Sequence, residues 1–369
     1  MTPNWHKLSN EADVPSPALL VYADRVRENI HRMVAMVDDV SRLRPHIKTH
    51  KMAEVLRMHL DAGITRFKCA TIAEAEMAAA TGAPDVLLAY QPVGPNVARL
   101  QRLTRLFPQT KFACIADDEG AIRTLANAWA GAASPLEVLL DLDCGMRRSG
   151  IAPGPEAGAL YQLIAGSPGL KPGGLHAYDG HNREVDPAAR KAVCDAYMAP
   201  IRALRDELQR AGLMVPRLVA SGSPTFPIHA RSMDVECSPG TTVFWDAGYG
   251  GRFKDMDFLP AALVFTRVVS KPGPGRLCLD LGHKAIASEM PHPRVHLIGL
   301  ADATAVTHSE EHLVVETARA AEFVMGDVLY GVPQHICPTV ALHGLAVVVE
   351  HGKATGRWRV VARERAITV

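Results

Sequence analysis

The first two thirds of the chain alternate short apolar runs with longer amphipathic segments, and this alternation limits the folds that the chain can adopt. The run "ALLVY" (Ala18–Tyr22) is typical of a strand, and the segment after it has apolar residues from Val26 to Val37 at the spacing of a helix. The same order repeats through "DVLLAY", "KFACIAD", "LEVLLDLD" and "RLVASG". Because alternating strands and helices build parallel sheets, we expect an α/β fold of the (β/α)8 TIM-barrel type, with eight strands, over residues 15–254.

The pattern changes near Phe258, where long helical patterns give way to short strand-like runs. The runs "LVFTRVVS", "RLCLDLG", "HLVVETA" and "VALHGLAVVVEHG" are separated by Gly or Pro turns. Short strands with such turns between them are typical of antiparallel sheets. We therefore expect a second, mostly antiparallel β domain over residues 255–369, on which residues 1–14 can also pack.

Composition argues against several classes of protein. The 40 basic and 39 acidic residues leave a net charge of +1, which is unlike a nucleic-acid-binding domain. No apolar run approaches the roughly 20 residues that span a bilayer, and the N-terminal segment lacks the pattern of a signal peptide. Seven cysteines at wide spacing do not form a disulfide framework. We therefore expect a cytoplasmic protein without a membrane or nucleic-acid partner.

Lys48 is the first candidate for chemistry, because polar side chains at the carboxyl ends of barrel strands carry the active site in this type of fold. It lies in the basic stretch "RLRPHIKTHK" (Arg42–Lys51), where Pro45 favours extended backbone at Arg44. A lysine at a barrel mouth can lose its water shell, which favours the neutral amine and Schiff-base chemistry. The alternative is that Lys48 and Lys51 are both exposed and inert.

Two loops rich in glycine and hydroxyl groups, "VASGSPTF" and "SPGTTVFWD", are candidates for a phosphate site late in the barrel. Backbone N–H groups and hydroxyls in such turns form anion nests, and phosphate sites near the last two strands recur in barrels. Either loop alone is equally consistent with a plain turn. A phosphate site and a reactive lysine on one barrel point to pyridoxal 5'-phosphate. The candidate residues are Ser221, Gly222, Ser223, Gly240 and Thr241.

Two further segments carry candidates near the barrel mouth. In "DLDCGMRRSGI", Arg148 can bring a guanidinium to a cofactor ring or a carboxylate. In "GGLHAYDGHN", His176 and Tyr178 share one face of a strand, and His181 falls in the loop that follows. Each can act as an acid or a base, or can simply satisfy a polar core.

His335 and Cys337, in "PQHICPT", are candidates for a metal pair. Two residues apart on an extended segment, they project to the same side and can bind one cation, for which the sulfur favours zinc, with manganese or magnesium as alternatives. Two protein ligands leave positions for water and a substrate oxygen, as in catalytic sites. The alternative is a core cysteine beside a half-exposed histidine.

Together these motifs resemble the D-threonine aldolase and D-serine dehydratase family, pyridoxal phosphate enzymes of fold type III with an alanine racemase-type barrel. The motifs "RPHIKTHK", "CATIAEAE", "DCGMRRSGI", "AYDGH", "SPGT" and "PQHICPT" occur in the family's order over nearly the whole chain. The resemblance implies that Lys48 carries the cofactor, that Arg148 and Tyr178 lie at its ring, and that the two loops hold its phosphate. It also implies that His335 and Cys337 hold a divalent metal and that the protein is a homodimer.

The resemblance implies a metal-assisted lyase that acts on small D-3-hydroxy amino acids. In the aldolase reaction, which we favour, a base such as His181 removes the hydroxyl proton, and Cα–Cβ cleavage gives glycine and an aldehyde. In the dehydratase reaction, Lys48 removes the α-proton and hydroxide leaves, and the resulting imino acid is hydrolysed by water to a keto acid and ammonia. An amino acid racemase and a non-catalytic cofactor-binding protein are further alternatives.

Overall fold

The computed structural model describes residues 4–369, which fold into two compact units that interleave along the chain. The strands, in chain order, are β1 (Ala18–Tyr22), β2 (Arg66–Cys69), β3 (Asp85–Leu88), β4 (Lys111–Ala116), β5 (Leu136–Leu142), β6 (Leu170–Ala177), β7 (Leu218–Ala220), β8 (Glu236–Cys237), β9 (Ala262–Ser270), β10 (Arg276–Leu279), β11 (Val295–Leu297), β12 (Thr304–His308), β13 (Leu313–Glu316), β14 (Val328–Pro333), β15 (Leu345–Glu350) and β16 (Lys353–Arg359). The helices are α1 (Ala23–Ala35), α2 (Ala53–Asp61), α3 (Ile72–Ala80), α4 (Pro95–Leu106), α5 (Glu119–Trp129), α6 (Pro155–Gly166), α7 (Pro187–Arg210), α8 (Phe226–Ala230), α9 (Ala247–Arg252) and α10 (Ile336–Leu342).

The first unit, which we call the barrel unit, comprises Met33–Lys48, Leu56–Gly240 and Glu364–Val369. Its sheet contains β2 to β8 in the order of the chain, and the pairs are parallel. All seven residues of β5 are buried, as expected for a parallel strand that is covered on both faces. Side chains of Thr71 and Asp118 accept backbone N–H groups in the first turns of α3 and α5, which fixes where these helices begin.

A short segment before β2 occupies the place of an eighth strand. Leu43 forms a parallel bridge with Cys237 of β8, and the segment is thereby joined to one edge of the sheet. His46 forms a parallel bridge with Lys68 of β2, at the other edge. Pro45 lies between the two bridges, and because proline has no N–H to donate, it interrupts a continuous ladder. The predicted barrel-type α/β fold is therefore confirmed, with seven strands and one bridging segment in place of eight strands.

The second unit, which we call the β unit, comprises residues 4–32, 49–55 and 241–363 of the described chain. Its sheet has the order β12-β13-β10-β9-β1-β15-β16, and β14 pairs with both β9 and β11. The pairs are antiparallel apart from β1 with β15, which confirms the predicted mostly antiparallel sheet. The run "ALLVY", which the alternation places in the barrel, is β1 of this sheet, because a short apolar run fits a buried strand of either kind.

Strand β9 separates two apolar cores of the β unit, because successive side chains of a strand point to opposite faces. Val264 packs in one core with Leu279 of β10, whereas Phe265 packs in the other with Leu20 of β1. This packing holds β14 beside β9, and α10 begins three residues after β14 ends. Among residues 4–369, no helix is both long and apolar enough to cross a bilayer.

Candidate active site

Three cationic side chains surround one aromatic ring at the carboxyl end of β6. Tyr178 follows β6 directly, and Arg148 Cζ lies 4.8 Å from the centroid of the tyrosine ring. Lys48 Nζ and Lys68 Nζ each lie 5.7 Å from the same centroid. These distances fall within the roughly 6 Å at which a cation is attracted to an aromatic face. The structure thus brings together three residues that the sequence singles out, Lys48, Arg148 and Tyr178, and adds Lys68.

Lys48 lies in a 3₁₀ turn, Ile47–Thr49, rather than at the end of a regular strand. This turn follows the bridging segment, whose pairing with both edges of the sheet determines where the lysine stands. Lys48 is half-buried. Lys51 belongs to the β unit, where its carbonyl accepts a hydrogen bond from the Ala362 N–H at 3.2 Å.

Lys68 is a residue of the site that the sequence analysis missed. It lies on β2 and is only 1% exposed. Burial and the nearby charge of Lys48 lower its pKa to about 7, although Asp179 and Asp141 act in the opposite direction. A lysine between the apolar residues Phe67 and Cys69 of β2 is the signal that could have revealed it, because parallel strands are normally near-continuous apolar runs.

Asp141 and His176 form a buried pair on adjacent strands of the barrel unit. His176 Nδ1 lies 2.7 Å from Asp141 Oδ1, and Ser149 Oγ donates to Asp141 Oδ2 at 2.9 Å. Burial lowers the pKa of His176, although the hydrogen bond to Asp141 opposes this effect. His176 Nε2 is buried and has no hydrogen-bond partner within residues 4–369. A neutral imidazole that donates from Nδ1 to Asp141 therefore has an acceptor nitrogen left for a bound molecule.

Two glycines make room for the rings of Tyr178 and His181. A Cβ atom at Gly180 would lie 2.3 Å from the Tyr178 hydroxyl, so no other residue fits there without displacing the ring. A Cβ atom at Gly145 would lie 2.8 Å from His181 Nε2. The structure places His181 between Gly145 and the ring of Tyr197, whose centroid is 5.1 Å from that of the imidazole. The role of His181 as a base stays a prediction.

The glycine- and hydroxyl-rich turns after β7 and β8 meet in the barrel unit. The Gly240 N–H donates to Ser223 Oγ at 3.2 Å, which joins two of the residues that the sequence singles out. Ser221 is fully buried in a left-handed conformation, with φ +88°, and its hydroxyl donates to the Gly222 carbonyl at 2.7 Å. Ser238 Oγ is buried without a partner in the described part of the chain. It is therefore a further hydroxyl suited to an anion, which the sequence analysis did not single out.

A buried charge network holds the first of these turns. Asp179 Oδ1 accepts the Gly222 N–H at 2.5 Å, and Asp179 Oδ2 accepts from Tyr197 Oη at 2.7 Å and lies 2.8 Å from His229 Nε2. Burial alone would raise the pKa of Asp179, but bonding to His229 outweighs it and lowers the pKa to about 2. Burial likewise opposes protonation of His229, but bonding to Asp179 raises its pKa to about 9. The Gly222 N–H is thus directed at a carboxylate.

With Cys194, this network also has the composition of a metal site. The ligand atoms of Asp179, Cys194 and His229 lie within 4.8 Å of one another. Cys194 Sγ is 3.5 Å from His229 Nε2, and the same nitrogen bonds to Asp179. Because each ligand atom already has a protein partner, we interpret the cluster as an ion pair that fixes the backbone of the turn.

The His335–Cys337 pair lies in the β unit, at the junction between β14 and α10. His335 is the extended residue that precedes α10, and Cys337 is the second residue of the helix. The expected extended geometry is therefore wrong at Cys337. Pro338 explains the difference, because proline fits the first helical turn, where its missing N–H leaves no bond unmade.

Two carboxylates hold this junction. Asp246 Oδ2 accepts the Ile336 N–H at 3.0 Å, and its Oδ1 accepts the Tyr249 N–H at 2.9 Å. Glu289 Oε1 lies 2.5 Å from His335 Nδ1. Burial opposes protonation of His335, but Cys337 and Glu289 raise its pKa to about 9. The sequence gives no signal for Glu289, whereas Asp246 has the position of a helix cap before α9.

Two hydroxyls face the thiol of the pair. Cys337 Sγ lies 3.1 Å from Thr49 Oγ1 and 3.7 Å from Thr241 Oγ1. Thr241, a predicted phosphate contact, therefore has its hydroxyl beside the thiol within the β unit. Imidazole nitrogen, thiol sulfur and a neighbouring carboxylate form a donor set that suits zinc.

The sequence profile of the family described as "Alanine racemase, N-terminal domain" matches residues 21–247, and that of a "Putative serine dehydratase domain" matches residues 261–349. The first match covers more than half of the chain. The chain therefore belongs to the family of proteins with an alanine racemase-type barrel.

Within this family the chain is similar to D-threonine aldolase from Arthrobacter sp., at 30% identity over 95% of this chain and 93% of that protein. It is 29% identical to a 3-hydroxy-D-aspartate aldolase from Paracoccus denitrificans (strain Pd 1222), over 96% of this chain and 93% of that protein. Among solved structures, D-threonine aldolase from Filomicrobium marinum has a TM-score of 0.89 at 26% identity, over 95% of this chain and 96% of that one. The family predicted from the motifs is thereby confirmed.

Proposed function

We propose that this chain is a pyridoxal phosphate-dependent lyase that cleaves the Cα–Cβ bond of D-3-hydroxy amino acids to give glycine and an aldehyde. The observation that carries the proposal is the convergence of Lys48 and Arg148 on the Tyr178 ring, in a chain similar to two aldolases of this type. A reactive amine, a guanidinium and an aromatic face are the groups that such a cofactor requires of a protein.

The residues of the barrel unit fit the cofactor in charge and in hydrogen bonding. Lys48 would bind its aldehyde carbon, with Arg148 and Tyr178 beside its ring, and when bound it supplies an electron sink for the electrons released at Cα. Two buried polar atoms without partners in residues 4–369, His176 Nε2 and Ser238 Oγ, support this fit, because buried polar groups are normally satisfied. Ser221, Gly222, Ser223 and Gly240 would lie around the phosphate, and the Ser238 hydroxyl would donate to it, because the Gly222 N–H is already directed at Asp179.

The β unit would contribute a divalent metal held by His335 and Cys337. Zinc is the metal that the thiol favours, with manganese and magnesium as alternatives, and it supplies Lewis acidity toward the substrate hydroxyl. Glu289 orients the His335 ring, and Asp246 fixes the backbone between the two ligands. Hydrogen bonds of this kind, around the ligating residues, set the geometry of a metal site.

In the aldolase reaction, His181 would take the proton of the substrate hydroxyl. Its Nδ1 is buried and has no hydrogen-bond partner in the described part of the chain. Packing against Gly145 and Tyr197 restricts the ring, which keeps one orientation of that nitrogen. An oriented imidazole with a nitrogen that no protein group occupies is what such a step requires of a base.

A dehydratase is the second candidate, and one observation favours it. The serine dehydratase profile covers residues 261–349, which include both His335 and Cys337. In this reaction Lys48 would take the α-proton, and the products would be a keto acid and ammonia. A racemase or a non-catalytic carrier would have no use for the metal pair.

The products separate the two candidates. We expect the purified protein, loaded with pyridoxal phosphate and zinc, to convert D-threonine to glycine and acetaldehyde, and to leave L-threonine unchanged. Keto acid and ammonia from D-threonine or D-serine would select the dehydratase, and neither set of products would overturn both. Cys337→Ala should lose activity, with Cys278→Ala as a control for loss of a thiol elsewhere in the β unit.

We also propose that the enzyme works in the cytoplasm as a homodimer, as the resemblance implies. Sedimentation equilibrium of the cofactor-loaded protein should give twice the mass of the 39.8 kDa chain. A single-chain mass at assay concentration would contradict the dimer.

A further inference from the structure

Lys68 is a buried amine that the proposed reaction does not use. It lies on β2 and is buried, and its Nζ stands over the face of Tyr178, 5.7 Å from the ring centroid. The charges of Lys48 and Arg44 oppose protonation of the amine, and those of Asp179 and Asp141 favour it. Burying a charged ammonium at this position costs free energy, and an apolar residue would pack better in a parallel strand. A lysine at this place therefore calls for a functional explanation.

The groups that face Lys68 come from several elements of the barrel unit. Lys48 stands in the 3₁₀ turn and Arg44 in the bridging segment, and both oppose its positive charge. Asp141 on β5 and Asp179 after β6 favour it. His176 and Arg148 are linked to the same cluster, since the charges of Lys68 and Arg148 both oppose protonation of His176. The protonation of Lys68 therefore depends on opposing effects of neighbouring cations and carboxylates.

Lys68 and Lys48 are close enough to sense each other's charge. Because each amine lies 5.7 Å from the centroid of the Tyr178 ring, their separation cannot exceed twice that distance. A positive charge at that limit from a nitrogen that titrates, in surroundings with an effective dielectric constant of about 20, changes the proton affinity of that nitrogen about tenfold.

We propose that Lys68 is a positioning residue of the cofactor site, a second amine whose charge controls the protonation of the nitrogen that Lys48 provides. The inference rests on the proposed function, because it requires that Lys48 binds the cofactor. Since burial lowers the pKa of Lys68 to about 7, its charge is present below that pH and fades above it. The site thus contains a positive charge that is lost by deprotonation near neutral pH.

The test compares a permanent charge with a permanently neutral side chain. Lys68→Arg and Lys68→Met, each loaded with pyridoxal phosphate, are titrated while the visible absorbance of the bound cofactor is recorded. We expect the pH midpoint of the spectral change to be about one pH unit lower in the arginine variant than in the methionine variant. Lys111→Met, which removes a half-exposed lysine paired with Glu137 at the start of β4, should leave the wild-type midpoint unchanged.

The outcomes distinguish this inference from the proposed function. If the wild type acquires no absorbance of bound cofactor, the proposed function fails. If it does, and the arginine and methionine variants share one midpoint, only the role of Lys68 is overturned. Should Lys68→Met fail to fold, Lys68→Arg is compared with the wild type instead, and its midpoint should be lower, because arginine keeps the charge that Lys68 loses above a pH of about 7. Equal midpoints in that comparison would likewise overturn the inference.

Discussion

Asp179→Asn should weaken the barrel unit and change the way its stability depends on pH. Asp179 is buried, bonds to His229 and accepts the Gly222 N–H, so the variant removes the charge that keeps His229 protonated. An imidazole buried without that charge is neutral at neutral pH. Removing one partner of a buried ion pair typically costs about 3–5 kcal/mol of unfolding free energy.

The pKa values give the pH range of the effect. The pKa of His229 rises from 6.5 to about 9, and because one pKa unit corresponds to about 1.4 kcal/mol, the pair contributes about 3 kcal/mol. This stability is complete below pH 6.5 and is lost as the pH rises through 9. The pKa of Asp179 falls from 3.8 to about 2, so the contribution is also lost as the pH falls from 3.8 toward 2.

Urea unfolding at a series of pH values measures this dependence. The wild type should lose stability between pH 6.5 and pH 9, whereas Asp179→Asn should start lower and change little over that range. Asp195→Asn, which breaks only the exposed pair with Lys191 on α7, is the matched control and should follow the wild type. A wild type and an Asp179→Asn variant with the same slope from pH 6.5 to 9 would refute the assignment of the charged pair.

Three further variants test the site and its support. Gly180→Ala should weaken uptake of pyridoxal phosphate, because the new Cβ would lie 2.3 Å from the Tyr178 hydroxyl; an unchanged titration of cofactor absorbance would contradict this. Glu289→Gln should weaken zinc binding by roughly 10- to 100-fold in competition with a chelator, since outer partners orient a ligating histidine; equal affinity would argue against that role. Arg44→Met should lower the free energy of unfolding measured in urea by about 3–5 kcal/mol, because the partly buried carboxylates of Asp85 and Glu236 would lose their ion-pair partner. A loss below about 1 kcal/mol would contradict this account.

The parallel sheet could be predicted because its strands alternate with helices, an order that directly determines topology. The same local pattern could not decide to which of the two sheets Ala18–Tyr22 belongs, because a strand of five buried residues fits the parallel sheet and the mostly antiparallel sheet equally well. Pro45 illustrates a finer limit. It predicts extended backbone, but the sequence does not show that this segment pairs with the neighbouring strands only through isolated bridges.

Lys48, Arg148 and Tyr178, which the structure brings together, could be singled out from the sequence because each lies in a short motif. Contacts between distant segments could not be predicted, because they depend on tertiary packing. Glu289 and His335 are 46 residues apart, and Asp179 and His229 are 50 apart. Lys68 is a different case. Its strand is evident from the sequence, but the sequence does not show that the side chain lies beside Tyr178.

The central claim is that Lys48 of the barrel binds pyridoxal phosphate covalently, and chemical trapping tests it most directly. The cofactor-loaded protein is treated with borohydride, which fixes the cofactor to the lysine that holds it, and the labelled peptide is identified by mass spectrometry. We predict a single label on Lys48, absent from Lys48→Ala. A label on Lys51 or Lys68, or no label on the wild type, would contradict the claim.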